Sequence, residues 1–469
     1  MNRSFISCTL VCLLIISSSI QGFAQNLDEI KKNYGQYHAV VLTNKLHYDI
    51  TIVEGQPHVE SDETEQIEFL TADAAKYMSS YGFSHSDFQQ VVAYEAFTRT
   101  ANDKKLKVTD FKTISNKEDF VFYDDSKETT FNFPSIGEGA IGNLHVSRIN
   151  TNPSLLSPFY FGRGIPVLNS ELSITFPKDM NIQYRLMGLD TSSVSVRLEN
   201  NHRTNTYTFR YVNCPASDKY EDAPGGAWYA THVIFFIDSY KDEKGNAVHY
   251  LSNMDDLYRL SYGYLKTINA SVSPLIQNIV DSITAKNPNQ EENARRIYSW
   301  VQQHIKYVAF EQGMEGFIPR DATTVCNRRF GDCKDMASIL TEMMRAAGIT
   351  SYFTWIGTRD RPYQFTRMPL PLVSDHMICT IRLNDQYIFL DATDPTCIFG
   401  FPSAMIQDKE ALISINEKEY KILKVPVVEK IKNVQTDSTW LELTPSGIQG
   451  RIRQNLSGYF AMHMHGRLL

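Results

Sequence analysis

The chain has 469 residues, and at about 150 residues per domain that length points to about three domains. Hydrophobic residues make up 42% and charged residues 21%, an ordinary globular balance that excludes a wholly disordered chain. The 46 basic and 53 acidic residues leave a net charge of −7 without long blocks, so neither a nucleic-acid footprint nor attraction to an anionic membrane is expected.

Residues 1–24 read as a cleavable signal peptide. Arg3 gives a positive start, Phe5 to Ile16 a short apolar core, and Gly22-Phe23-Ala24 small residues at the cut. This predicts export to the periplasm or beyond. The apolar run is too short to span a bilayer and no later stretch approaches about 18 apolar residues, so stable membrane insertion is not expected. Cys8 and Cys12 leave with the signal, while Cys214, Cys326, Cys333, Cys379 and Cys397 remain. That number is odd and small, which excludes a disulfide scaffold and directs attention to a reactive thiol. The absence of C-x-x-C and H-E-x-x-H weakens a zinc reading, and nothing in the sequence argues for a cofactor.

Residues 25–240 predict an all-β, sandwich-like domain, in keeping with 12% aromatic residues. Alternation runs through Ala39–Tyr48, Glu65–Leu70, Val91–Arg99, Ser170–Phe176, Ser193–Leu198, Thr206–Val212 and His232–Ile237. Turn formers such as Glu54-Gly55 and Asn200-Asn201 separate the runs. Gly137-Glu138-Gly139-Ala140-Ile141-Gly142 has the spacing of a dinucleotide fingerprint, but strand alternation follows it instead of a helix, so a turn is expected.

Residues 241–425 change to a helical period. Ser273-Pro274 caps one helix, with Leu275, Ile276, Ile279, Val280 and Ile283 on its apolar side, and Asn287-Pro288 starts a second. A third helix opens at Cys333 and ends at Gly348. Strands at Tyr352–Ile356, Met377–Leu383 and Tyr387–Leu390 follow, the last two joined by an Asn384-Asp385 turn. Residues 426–469 read as a β segment that either packs on the other domains or begins a longer one. In it, His463-Met464-His465 reads as an exposed strand face, with no third ligand for a metal.

Three residues carry the chemistry. Gly331-Asp332 breaks the chain before the third helix, placing Cys333 in the first turn, where free N–H groups and the helix dipole favour a thiolate. An imidazole suits the role of proton acceptor, and a carboxylate suits the role of holding it. His376 begins one hairpin strand and Asp391 ends the next, so antiparallel pairing brings both to the same end. Each residue alone has a bland reading, as a buried structural thiol or a surface polar group. The three in this order and context favour a catalytic reading over the bland one.

The stretch from about Asn287 to Thr396 resembles the transglutaminase-like superfamily core. Ile305-Lys306-Tyr307, Arg329-Phe330-Gly331-Asp332-Cys333-Lys334-Asp335, Arg345-Ala346-Ala347-Gly348-Ile349, Asp375-His376 and Leu390-Asp391-Ala392-Thr393 carry the resemblance. It implies an α+β papain-like fold in which Cys333 is the nucleophile, His376 the base and then acid, and Asp391 the orienter. The preceding domain resembles a domain of unknown function found before this core in exported Bacteroidetes proteins, through Tyr123-Asp124, Phe133-Pro134, Gly137-Glu138-Gly139 and Phe176-Pro177. An oxyanion hole would combine the Cys333 N–H with an upstream side chain, for which Asn327, Gln312 and Gln303 are candidates. Cys326, seven residues before Cys333, reads as a plain buried thiol in preference to an oxidation partner. The expectation is a multidomain exported cysteine hydrolase or acyltransferase, acting on protein or peptide amides through a thioester. The rival is an envelope binding protein with a retired core.

Overall fold

Alternating apolar residues from Ala39 onward build a long strand, Ala39–Val53, which turns at Glu54-Gly55 into the strand Gln56–Phe69. Both turn residues have positive φ, 52° and 75°, the pair of left-handed conformations a two-residue hairpin requires. The structure is a computed structural model that describes residues 27–468 apart from 79, 116–120, 125, 218–220, 286 and 312. The residues read as a signal peptide, and Gln312, lie outside the described residues.

The hairpin sits inside an eight-stranded sheet. Its order is Val194–Asn200, Thr204–Cys214, Val167–Pro177, Ala39–Val53, Gln56–Phe69, Ile141–Asn150, Gln89–Arg99 and Lys105–Lys107. Pairing is antiparallel except between Ala39–Val53 and Val167–Pro177, which run parallel. The glycine-rich segment at 137–142 is a turn leading into Ile141–Asn150, as its sequence context implies. One face of the sheet buries Val41, Tyr48, Ile50, Ile174 and Phe209 against a second sheet built around His232–Lys241.

That strand differs from its expected alternation. Val233 to Ile237 is an unbroken apolar run, buried throughout. Val233, Phe235 and Ile237 enter the β-domain core, whereas Ile234 and Phe236 enter a second core with Leu257, Tyr258, Ala337, Phe353 and Trp355. A continuous apolar strand marks burial on both faces. Each fully buried phenylalanine contributes about 2 kcal/mol of transfer free energy, so this strand binds the two halves of the chain together.

The second half is α+β. The helices Pro274–Thr284, Gln290–His304 and Cys333–Ala346 pack through Ile276, Val280, Ile297, Val301, Met336, Leu340 and Met343 onto Cys379, Ile381 and Leu390. The sheet is antiparallel, in the order Gln386–Leu390, His376–Leu383, Thr350–Ile356, Glu410–Asn416, Glu419–Lys424. Ser273 caps the first helix as expected. The second starts later than Asn287-Pro288 suggests: Asn289 is its cap, accepting from the Glu292 N–H at 3.1 Å. Asn384 and Asp385 both adopt positive φ in their two-residue turn.

At the C-terminal end, Gln435–Thr444 and Gly447–Leu456 form a hairpin. The final residues are not strand-like, because Tyr459–Leu468 is a helix with Met462 buried. His463 and His465 are therefore exposed about 200° apart on a helix and share no face.

Candidate active site

The N-terminus of the helix Cys333–Ala346 is held by a buried charge network. Asp332 accepts the N–H groups of Lys334 at 3.0 Å and Asp335 at 3.2 Å, and Asp335 accepts the Asp332 N–H at 3.4 Å, a reciprocal capping box. Lys334 Nζ donates to Asp332 at 2.7 Å, and Arg320 donates to Asp335 at 2.7 Å. Burial pushes the Asp332 carboxyl up, against the opposing pull of Lys334. Gly331 is required beside this network: a Cβ there would stand 2.4 Å from Asp335 Cβ. Gly331→Ala is therefore expected to cost about 1–3 kcal/mol in urea denaturation, and an unchanged midpoint would refute the tight packing.

Cys333, as the first helical residue, has no intrahelical acceptor for its own N–H. Cys333 is 7% exposed and lies close enough to the His376 imidazole to act on its ionisation. On the other side of the ring, Nε2 donates to Asp391 Oδ2 at 3.0 Å. Burial disfavours the charged ring, yet Asp391, seconded by Cys333, holds the His376 pKa well above its ordinary 6.5. Asp391 is itself buried, but His376, Ser403 and Thr393 bring its carboxyl down to about 2. Ser403 Oγ donates to Oδ2 at 2.5 Å, and Thr393 gives Oδ1 its hydroxyl at 2.6 Å and its N–H at 3.2 Å. Tyr298 fixes the backbone, donating to the Asp391 carbonyl at 2.7 Å. The arrangement is thus a carboxylate locked in place, an imidazole oriented by it, and a thiol at a helix N-terminus.

All five cysteines described are free thiols. Burial pushes Cys214 up to about 11, Cys379 and Cys397 up to about 12, and Cys326 upward as well. All four are buried, where the thiolate is disfavoured. Cys333 and His376 line a cleft of about 400 Å³ whose other walls include Trp355, Phe317, Leu370 and Leu372. The β domain supplies Phe235, Phe236 and the segment Pro153–Pro158 to the same cleft. Phe88 of the β domain packs edge-on against Phe317 at 5.7 Å.

The described oxyanion candidates do not reach this cleft. Asn327 is exposed on the helix Ala322–Arg328, whose inward face is taken by Ala322, Val325 and Cys326. Gln303 is exposed and donates to Ser299 at 3.0 Å, about 200° around its helix from the buried Val301. Ser403, by contrast, is part of the site and was missed, because it lies in a loop twelve residues past Asp391 with no periodic signal around it.

Residues 277–372 match the model of the transglutaminase-like superfamily, and residues 58–217 match that of a domain of unknown function with solved structure, DUF3857. The chain thus carries a DUF3857 domain followed by a transglutaminase-like core, the core match including Cys333 and ending before His376. No curated protein matches the sequence. Among solved structures, that of a candidate protease from Parabacteroides distasonis is similar, with 15% identity, a TM-score of 0.62, and coverage of 83% of this chain and 72% of that one. It shares the fold. A candidate cysteine protease from Cytophaga hutchinsonii matches at 12% identity over 72% of this chain and 75% of that one, but with a TM-score of 0.21 no structural argument rests on it.

Proposed function

We propose that the protein is an exported cysteine-dependent hydrolase or acyltransferase that acts on amide bonds of proteins or peptides. The observation that carries this reading is the Cys333–His376–Asp391 chain of contacts opening onto one cleft. Cys333 Sγ attacks the amide carbonyl carbon, and the C–N bond breaks as His376 gives its proton to the departing amine. The acyl group is then a thioester on Cys333. Water or an amine attacks it, His376 takes the incoming proton, and the thiolate is released with its imidazolium partner restored. The Cys333 N–H, unused by the helix, is a donor for the oxyanion. The cleft walls combine apolar side chains such as Trp355, Leu370 and Leu372 with the charged Arg361 and Asp375, a mixed surface that suits a peptide. Export is supported by the signal-like residues 1–24.

The test is alkylation by iodoacetamide in the full chain, read cysteine by cysteine with peptide mass spectrometry. Near neutral pH Cys333 is expected to react at least about tenfold faster than Cys379 or Cys397, and His376→Ala should remove that advantage. A Cys333 that labels no faster than those buried thiols would sink the proposal in favour of a binding protein with a retired core.

A further inference from the structure

A buried carboxylate offers about four acceptor positions, and those of Asp391 are filled from two sides. Oδ1 takes the hydroxyl and the N–H of Thr393, which follows closely on the same backbone and so pins this oxygen locally. Oδ2, the oxygen that holds the imidazole, has the Ser403 hydroxyl as its one other tie among the described residues. Ser403 stands at the N-cap of the short turn Ala404–Ile406, where a serine oxygen ordinarily accepts a backbone N–H. It caps nothing there, and its buried hydroxyl is directed to Asp391 instead. The stretch that presents Ser403 is irregular, and the helix Tyr459–Leu468 steadies it. The Tyr459 hydroxyl donates to the Pro402 carbonyl at 2.7 Å, and its ring meets Phe401 edge-on at 6.1 Å. Tyr459 is fixed in turn, because its N–H donates to Asn433 Oδ1 at 2.9 Å and Met462 of the same helix is buried. An unbroken line of contacts thus runs from that helix through Pro402 and Ser403 to the oxygen that orients His376.

We propose that Ser403 and Tyr459 are positioning residues for the triad: Ser403 keeps the Asp391 carboxylate from pivoting about the oxygen that Thr393 pins, and Tyr459 holds the backbone that presents Ser403. The helix Tyr459–Leu468 thereby belongs to the catalytic apparatus. If Oδ2 swings away, the Nε2 proton loses its acceptor and the imidazolium its counter-charge, so Cys333 gives up its proton to His376 at higher pH. The proposal rests on the reading of Cys333 as nucleophile.

The experiment follows the pH dependence of Cys333 alkylation by iodoacetamide in the full chain, which needs no substrate. Ser403→Ala is expected to move the midpoint of that dependence up by about one pH unit, and Ser403→Thr, which keeps the hydroxyl, should restore it. Tyr459→Phe loses only the hydroxyl and keeps the ring, and should move the midpoint up by about half a unit. In an Asp391→Asn background neither substitution should move it further, because both act through that carboxylate. A midpoint unchanged by Ser403→Ala, or moved equally in both backgrounds, overturns the proposal. So does a midpoint that falls, since the hydroxyl would then be draining charge from the carboxylate instead of placing it. If Ser403→Ala does not fold, Tyr459→Phe with and without Asp391→Asn decides on the same criteria. A parent Cys333 that labels no faster than Cys379 or Cys397 is a separate failure, of the nucleophile reading, and the positioning claim falls with it. A fast parent with unmoved variants refutes the positioning claim alone.

Discussion

Cys333→Ala is expected to lower amide turnover by about 10⁴-fold or more while leaving the fold intact. In the proposed mechanism the loss is large because every covalent step begins at this sulfur, and His376 and Asp391 have no nucleophile to serve without it. The cost to stability is small, about 1 kcal/mol, because a thiol is scarcely larger than a methyl group and Cys333 sits at the edge of its cluster beside the cleft. Turnover and a urea melt on the same preparation check both parts. Full activity in the alanine variant would refute the mechanism, whereas a collapsed melt would show that the thiol is chiefly a packing group.

Asp391→Asn is the second large effect, expected to cost between about 10² and 10⁴ in turnover, since an amide can neither hold the ring in one tautomer nor balance its charge. The variant also changes two pH dependences, with opposite signs. Asp391 in the fold titrates at about 2 against an ordinary 3.8, so its contribution is present above 3.8 and lost as the pH falls toward 2. That contribution is about 2 kcal/mol, and the stabilities of parent and variant should converge in acid. His376 is raised above 6.5, so its contribution is full below 6.5 and lost as the pH rises through its value in the fold. If the active form contains the imidazolium, the alkaline limb of kcat/KM moves to lower pH in Asp391→Asn. A limb that stays in place would mean that another group sets it.

The site was legible in the sequence where local rules determine it. Gly331-Asp332 ahead of an apolar helical stripe put Cys333 at an N-terminus, and the Asn384-Asp385 turn put His376 beside Asp391. The described candidates for an oxyanion donor lie away from the cleft, because nearness along the chain does not say which way a helical side chain points. Asn327 and Gln303 face outward on helices whose inner faces are taken by other residues, Val325 and Cys326 on one and Ile297, Tyr298 and Val301 on the other. Ser403 was hidden for another reason: it reaches Asp391 across an irregular loop. The strand His232–Lys241 departs from alternation in a way its sequence shows, since five apolar residues in succession are not an alternation. The closing helix Tyr459–Leu468 was read as strand because a short aromatic and methionine-rich run suits either period.

The strand His232–Lys241 also limits how the chain can be divided. Phe235 answers to one core and its neighbour Phe236 to the other, so adjacent peptide units serve different halves. A cut placed after His249 would leave Leu257, Tyr258, Phe353 and Trp355 facing water where Ile234 and Phe236 had been. The same cut would strip the cleft of Phe235, Phe236 and the wall at Pro153–Pro158. The boundary between the halves is thus not a seam: the second half takes part of its core and of its cleft from the strands that precede it.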